Sequence, residues 1–290
     1  MLKDLKQVSI IGLGLLGGSI ALAILRRMPK VKVVGYSHRT STRRRARQLA
    51  VASQIVDKLH ESVSKADLTV LATPISVFER IFGIIGDALP KGSIVTDVGS
   101  TKVLAHRWAA NSLPKAIHYV GSHPVAGSEK RGIESARADL FDGAVCILTT
   151  TKTTDSHAAQ TVRKFWSDLG CSVKLMSPAD HDRIFANVSH LPHTVAVALM
   201  NATEDEELKL AGQGFVDTSR VASGPSNVWA DVLLTNADNI ARGMDKLSGE
   251  LLKLREAIKN QNKKQIENLL TKARRKRARL MKTKQTVRGN

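Results

Sequence analysis

A few residues in this chain are of types that can move a proton or grip an anion. His123 stands in Gly121-Ser122-His123-Pro124, expected as a loop at a strand end. A neutral imidazole there can take a proton from a hydroxyl while the carbon beneath it loses hydride. Ser100, in Asp97-Val98-Gly99-Ser100-Thr101-Lys102, can hold the same hydroxyl by hydrogen bonding. The plainer alternative for both is a turn or helix cap. His190 and His193 are three apart in Ser189-His190-Leu191-Pro192-His193, a helix with a kink expected at Pro192, and so share one face. Each is either a substrate-facing imidazole or a hydrogen-bonded structural residue. Asp180, His181 and Asp182 lie one to three turns upstream, but the spacing fits no common zinc pattern and no metal is expected. Arg220, in Asp217-Thr218-Ser219-Arg220 ahead of a glycine-bearing loop, can grip a carboxylate bidentately or make a surface ion pair.

These groups need a frame, which begins at Val8–Ser19, VSIIGLGLLGGS. Val8 to Ile11 read as a short buried strand, Gly12, Gly14 and Gly17 have the spacing G-x-G-x-x-G, and Ile20 to Leu25 continue as a helix. Strand, glycine turn and helix in that order suit a dinucleotide pyrophosphate, bound at the positive helix end. Leu15 and Leu16 at the helix start, and Thr73-Pro74 at a later strand end, belong to the same expected site. The second strand, Val31 to Tyr36, runs into Ser37-His38-Arg39-Thr40, with no carboxylate to bind a ribose 2′-hydroxyl. A carboxylate would repel a 2′-phosphate and Arg39 can pair with one, so NADP is the expected cofactor, with NAD possible.

Strands and helices alternate onward through Leu68–Ala72, Ile94–Thr96, His118–Val120, Val145–Thr149 and Ser172–Met176, indicating an α/β fold with a mostly parallel, doubly wound sheet. Ligands bind at the carboxyl ends of such strands, where Thr73-Pro74, Asp97 to Lys102 and Ser122 to Gly127 all fall. After Ser177-Pro178 strand signals vanish. Ile240, Met244, Leu247, Leu251, Leu254 and Ile258 recur at steps of four and three, an apolar stripe that suggests a homodimer seam or internal packing. The expected division is a dinucleotide domain over 1–177, an all-helical domain over 178–281 and a basic tail over 282–290.

With 290 residues and 42% hydrophobic composition, the chain can bury two domains' worth of core. Cys146 and Cys171 are too few for a disulfide framework, and neither a signal-peptide core nor a membrane-length apolar run is present. A cytoplasmic protein without a membrane partner is expected. The formal charge is +18, and nine of the cations follow Glu267 with no acid among them. That end reads as a solvated terminus; a nucleic-acid partner is the lesser alternative.

Taken together, GLGLLGGS, DVGSTK, GSHPVAGSEKRG, PADHDR, SHLPH and DTSRVASGPSNVWADVLLTN resemble the prephenate and arogenate dehydrogenase family of tyrosine biosynthesis, over about Val8 to Asn236. The resemblance implies a Rossmann-type dinucleotide domain followed by an all-helical dimerisation domain. It also implies oxidative decarboxylation of a cyclohexadienyl substrate. Through it His123 and Ser100 are expected to be catalytic, Arg220 to bind a substrate carboxylate and His193 to contact the substrate side chain. Ser122 and His190 are counted with the substrate-binding group. Prephenate is preferred to arogenate as the substrate; a β-hydroxyacid-type dehydrogenase is a more distant alternative.

Overall fold

The computed structural model describes residues 5–126 and 130–288. Gly127, Ser128 and Glu129, inside the GSHPVAGSEKRG motif, lie outside the described residues, as do 289 and 290 of the expected tail. The chain runs β1 (Gln7–Ile11), α1 (Leu15–Arg27), β2 (Lys32–Tyr36), α2 (Thr40–Gln48), β3 (Gln54–Ile55), α3 (Leu59–Val63), β4 (Leu68–Leu71), α4 (Phe78–Ile85), β5 (Ile94–Asp97), α5 (Val103–Ser112) and β6 (His118–Tyr119). Then come β7 (Gly121–Val125), β8 (Val145–Thr149), α6 (Ser156–Asp168) and β9 (Ser172–Met176). The described remainder is helical: α7 (Pro178–Phe185), a π turn (Ala186–His190), α8 (Leu191–Asn201), α9 (Asp205–Leu208), α10 (Gln213–Ser219), α11 (Ser226–Thr235), α12 (Ala237–Lys259) and α13 (Lys263–Arg288).

Six strands form a parallel sheet in the order β3-β2-β1-β4-β5-β6. The chain builds outward from β1 to one side, then crosses to β4 and builds the other. The crevice at the carboxyl ends of β1 and β4 is therefore the switch point where α/β sheets bind ligands. Alternate residues of the central strands feed two cores: Val8, Ile10, Leu68 and Val70 pack on one face, and Ile11, Leu71 and Val95 on the other.

The single sheet expected from the alternation is corrected in one respect. β8 and β9 join β7 in a separate three-stranded sheet, with β7 antiparallel to β8 and β8 parallel to β9. The expected strand at His118–Val120 does not give way to a loop. The Val120 amide still bonds the Val95 carbonyl at 3.0 Å, and Gly121 then pairs with Thr149. Gly121 permits the handover, because a Cβ there would stand 2.4 Å from the Thr149 hydroxyl. His123 is therefore a strand residue.

The kink expected at Pro192 is taken up by the π turn just before it. Pro192 opens α8 and offers no N–H, and the wider turn absorbs the mismatch. Met1–Asn239 form one compact unit and Ile240–Asn290 a second. Within the second unit Ile240 and Ala257 are buried, while Met244, Leu251 and Ile258 of the apolar stripe are about half exposed, at 47%, 57% and 57%. α13 continues past 281 to Arg288. No glycine or proline interrupts it before Gly289. Among the described residues, no helix is long and apolar enough to cross a membrane.

Candidate active site

The turn after β1 depends on two close approaches. Gly12 has φ +101°, and a Cβ on it would stand 2.4 Å from the Ala72 carbonyl oxygen at the end of β4. A Cβ on Gly17 would lie 1.8 Å from the Gly12 carbonyl oxygen, so only glycine lets α1 come this near the turn. Gly14 faces open space, no side chain caps α1, and its first turn carries no acid. The amides of Leu15 and Leu16 are thus available to an anion at the positive end of a 13-residue helix.

The turn opens into a cleft of about 410 Å³ walled by Leu15, Leu16, Thr73, Pro74, Ser100 and Arg39, and closed from the far side by Pro225 and Val232. The far wall is fastened by polar bonds. Ser76 Oγ donates to Asp231 Oδ2 at 2.5 Å, and the Thr101 and Thr235 hydroxyls are 2.8 Å apart. At the end of β2, Ser37 is buried while His38, Arg39 and Thr40 are exposed. Arg43 holds this segment, donating to the Ser37 and His38 carbonyls at 2.7 and 3.2 Å and pairing with Asp57 at 2.8 Å. Those bonds commit Arg43 to structure. The Arg39 guanidinium has no hydrogen-bond or ion-pair partner among the described residues. The open Gly14 face and the uncapped helix start fit a dinucleotide.

Under Ser100 lies a buried charge cluster. Asp97 and Lys102 are both fully buried and ion-paired. Asp97 also accepts from the Gly99 amide at 2.6 Å and the Tyr119 hydroxyl at 2.6 Å, and Lys102 Nζ donates to the Ser122 carbonyl at 2.8 Å. Removing one partner of such a pair typically costs about 3–5 kcal/mol, because the other charge stays buried alone. The cluster fixes the loop that carries Ser100 into the cleft.

His123 belongs to a row of histidines. Its Nδ1 is 2.9 Å from His181 Nε2, and His181 Nδ1 is 2.8 Å from Asp182 Oδ1. Asp182 in turn accepts the Lys102 and Val103 amides at the start of α5, at 2.7 and 2.8 Å. Phe185 stacks on the His181 ring at 4.5 Å and flanks His123 at 4.7 Å. Burial drives His123 well below the usual imidazole range, with His181, Lys102 and His190 adding repulsion. A neutral ring able to accept a proton results.

Farther along, Asn236 Nδ2 donates to the Asp182 carbonyl at 2.8 Å and lies 3.2 Å from His190 Nδ1. Burial pushes His190 down to about 4. His193 stacks on Trp229 with ring centroids 3.5 Å apart, and His190 meets the same indole edge-on at 6.2 Å. Burial also lowers His193, against a smaller opposing effect from the Val221 backbone.

Most of the expected site residues thus fall into two groups, with Ser122 and Arg220 outside both. Leu15, Leu16, Thr73, Pro74, Arg39 and Ser100 share the cleft, and His123, His190 and His193 are joined by short contacts through His181, Asn236 and Trp229. Ser122 is a correction: strand alternation points it inward, opposite to His123, and its hydroxyl bonds Thr96 Oγ1 at 2.5 Å and Trp166 Nε1 at 2.9 Å. It is a core residue with no surface for a substrate. Arg220 is exposed and lines a different cavity, of about 660 Å³, with Met200 and Phe215. Its neighbour Val221 is the residue whose backbone bears on His193. Sequence reasoning gave no role to His181, Asp182, Trp229 or Asn236. A signal existed for Asp182, a carboxylate beside a histidine early in an amphipathic helix, but its partners are 79 and 80 residues away. Among the described residues, no group of three or more His, Cys, Asp and Glu side chains is placed to hold a metal ion.

Comparison with known proteins agrees with this layout. Residues 20–175 match the family described as prephenate dehydrogenase, nucleotide-binding domain, and residues 177–272 match prephenate dehydrogenase, dimerization domain. The chain is 34% identical over 264 residues to a cyclohexadienyl dehydrogenase from Zymomonas mobilis, covering 89% of this chain and 90% of that one. It is similar to the crystal structure of a prephenate dehydrogenase from A. aeolicus in complex with hydroxyphenyl propionate and NAD+, with TM-score 0.89 and 31% identity over 97% of this chain and 100% of that one. It also resembles the crystal structure of Synechocystis arogenate dehydrogenase, with TM-score 0.81 and 29% identity over 94% and 99% of the two chains. A glycine turn that only glycine can make, an uncapped helix start and two family matches spanning most of the sequence lead to one conclusion: the chain belongs to the prephenate dehydrogenase family.

Proposed function

We propose that the protein oxidatively decarboxylates prephenate to 4-hydroxyphenylpyruvate, with NADP as the hydride acceptor. The observation that carries this reading is the neutral, part-buried His123 imidazole, wired through His181 to Asp182, whose carboxylate bonds the Lys102 and Val103 amides just beyond the cleft residue Ser100. A nicotinamide held in this cleft would supply the hydride acceptor for the ring carbon that bears the hydroxyl. His123 accepts the hydroxyl proton as that carbon is oxidised, and the ring carboxylate departs as CO2 and leaves its bonding electrons to the ring. His123 returns the proton to the oxygen of the ring that has become aromatic, so charge and atoms balance. Ser100 holds the hydroxyl for His123. His193 and His190, placed by Trp229 and Asn236, contact the substrate side chain, and Arg220 supplies a cation for a carboxylate. Gly12, Gly14, Gly17, Leu15 and Leu16 hold the pyrophosphate, Thr73 and Pro74 line its cleft, and Ser37, His38, Arg39 and Thr40 face the adenosine ribose.

Arg39, whose guanidinium has no partner among the described residues, supports NADP over NAD. Arogenate is a second reading, favoured by the similarity to the Synechocystis enzyme. The exposed stripe on α12 and the dimerization-domain match support a homodimer through the C-terminal helices. Steady-state rates with prephenate and arogenate, each with NAD and NADP, test the assignment. The fastest pair is expected to be prephenate with NADP, and Arg39→Asp is expected to lower the NADP preference by about ten- to a hundredfold, the value of a charge-assisted hydrogen bond. No reduced cofactor from any of the four pairs overturns the reading.

A further inference from the structure

The PADHDR segment holds a device that the proposed reaction has not yet used. Asp182 Oδ1 accepts the Lys102 amide at 2.7 Å and Oδ2 accepts the Val103 amide at 2.8 Å, so the carboxylate is fixed against the first turn of α5. It is 1% exposed. A carboxylate only accepts, and Oδ1 lies 2.8 Å from His181 Nδ1, so the proton between them belongs to His181 Nδ1. His181 is fully buried, and burial lowers its basicity, keeping the ring neutral. A neutral ring protonated at Nδ1 presents a lone pair at Nε2. That atom is 2.9 Å from His123 Nδ1, and the bond requires the His123 proton to be on Nδ1. Only one nitrogen of His123 then carries a lone pair.

We propose that His181 is a positioning residue: anchored by Asp182, it accepts the Nδ1–H of His123 and thereby commits His123 Nε2 as the atom that takes the substrate hydroxyl proton. The proton leaves the hydroxyl oxygen and forms an N–H bond at Nε2. The electron pair of the O–H bond becomes the carbonyl π bond as hydride departs to the nicotinamide. His123 Nδ1–H stays bonded to His181 throughout, and this bond strengthens when His123 becomes cationic. Without His181, a neutral His123 is free to carry its proton on Nε2, where it cannot act as a base. Phe185, stacked on the His181 ring, holds the ring plane. The charged and titratable groups that bear on His123 are His181, Lys102 and His190.

This inference rests on the dehydrogenase reading for its chemical consequence, but not for its structural content. The test has two arms on the full-length protein. In the first, ¹⁵N-histidine NMR of the ligand-free protein at neutral pH reports the tautomer of each ring. His123 and His181 are both expected to be protonated at Nδ1 and bare at Nε2, and His123→Asn and His181→Gln assign the signals. In the second, His181→Leu removes the acceptor and His181→Gln restores one through its amide oxygen. His181→Leu is expected to lower kcat about a hundredfold with KM for substrate and Kd for NADP within about threefold, and to shift His123 toward the Nε2–H form. His181→Gln is expected to recover kcat to within about tenfold of the parent. A His123 protonated at Nε2 in the parent protein overturns the proposal, whether or not the variants fold. So does a folded His181→Leu with unchanged kcat. A correct tautomer in a protein that reduces no cofactor leaves the positioning geometry standing and places the failure on the assigned reaction.

Discussion

The row of histidines consists of two pairs, and they are built on opposite plans. His123 and His181 bond one another, and His181 is bonded again to a carboxylate that is itself fixed by two backbone amides. His190 and His193 share Trp229 as a packing partner, but each keeps one buried nitrogen without a protein partner among the described residues, Nε2 of His190 and Nδ1 of His193. An unmet buried polar atom costs about 1–3 kcal/mol. A fold tolerates that cost where a ligand's polar atoms complete the bond. The contrast separates a pair whose protons are fixed in advance from a pair left open to recognise something.

The contrast breaks most sharply at His123. His123→Asn is expected to lower kcat by about a thousandfold, in the range of a lost general base, while the Kd for NADP measured by fluorescence titration stays within about twofold. Unchanged turnover would place the base elsewhere. On the open pair the effect should be smaller and of another kind. His193→Asn is expected to raise KM about tenfold with kcat within threefold, the signature of a lost substrate hydrogen bond. A fall in kcat with constant KM would instead put His193 with the wired pair.

The smallest expected effect serves as a control on burial. His106 lies away from both pairs, with Nε2 2.9 Å from the Thr149 hydroxyl, and burial, then Lys102, holds it down to about 4. Between that value and the unfolded value near 6.5, the unfolded chain binds a proton that the folded chain refuses. Stability is therefore intact above about pH 6.5 and falls as pH drops toward 4, by up to about 3 kcal/mol. His106→Gln is expected to flatten the loss between pH 6.5 and 4.5 by up to one proton's worth, read from urea midpoints at the two pH values. An equal slope in parent and variant would show that His106 is not the group responsible.

Legibility in the sequence followed the range of the physical constraint. The turn after β1 could be read because its demands are local: Gly12 and Gly17 answer close approaches within a dozen residues, or to the next strand in the crossover. Arg39 could be read because the end of β2 is a fixed place in any such fold. Ser122 could not, since a strand crossing at Gly121 from one sheet to another reversed the expectation of a loop and turned its side chain into the core. Trp229 was visible only as part of a motif, and its contact with His193 joins α11 to α8.

By itself the sequence determined that a strand, a glycine turn and a helix would follow one another, because backbone sterics at Gly12 and Gly17 leave little else. It also determined that the second strand would end on a cation rather than an acid. The tertiary structure alone decided which histidine nitrogen is free, which serine is buried, and that Arg220 lines a cavity apart from the histidine row. The first two of those outcomes depend on partners 26 to 80 residues apart, whose approach is set by packing of the whole unit and is not encoded in any local spacing.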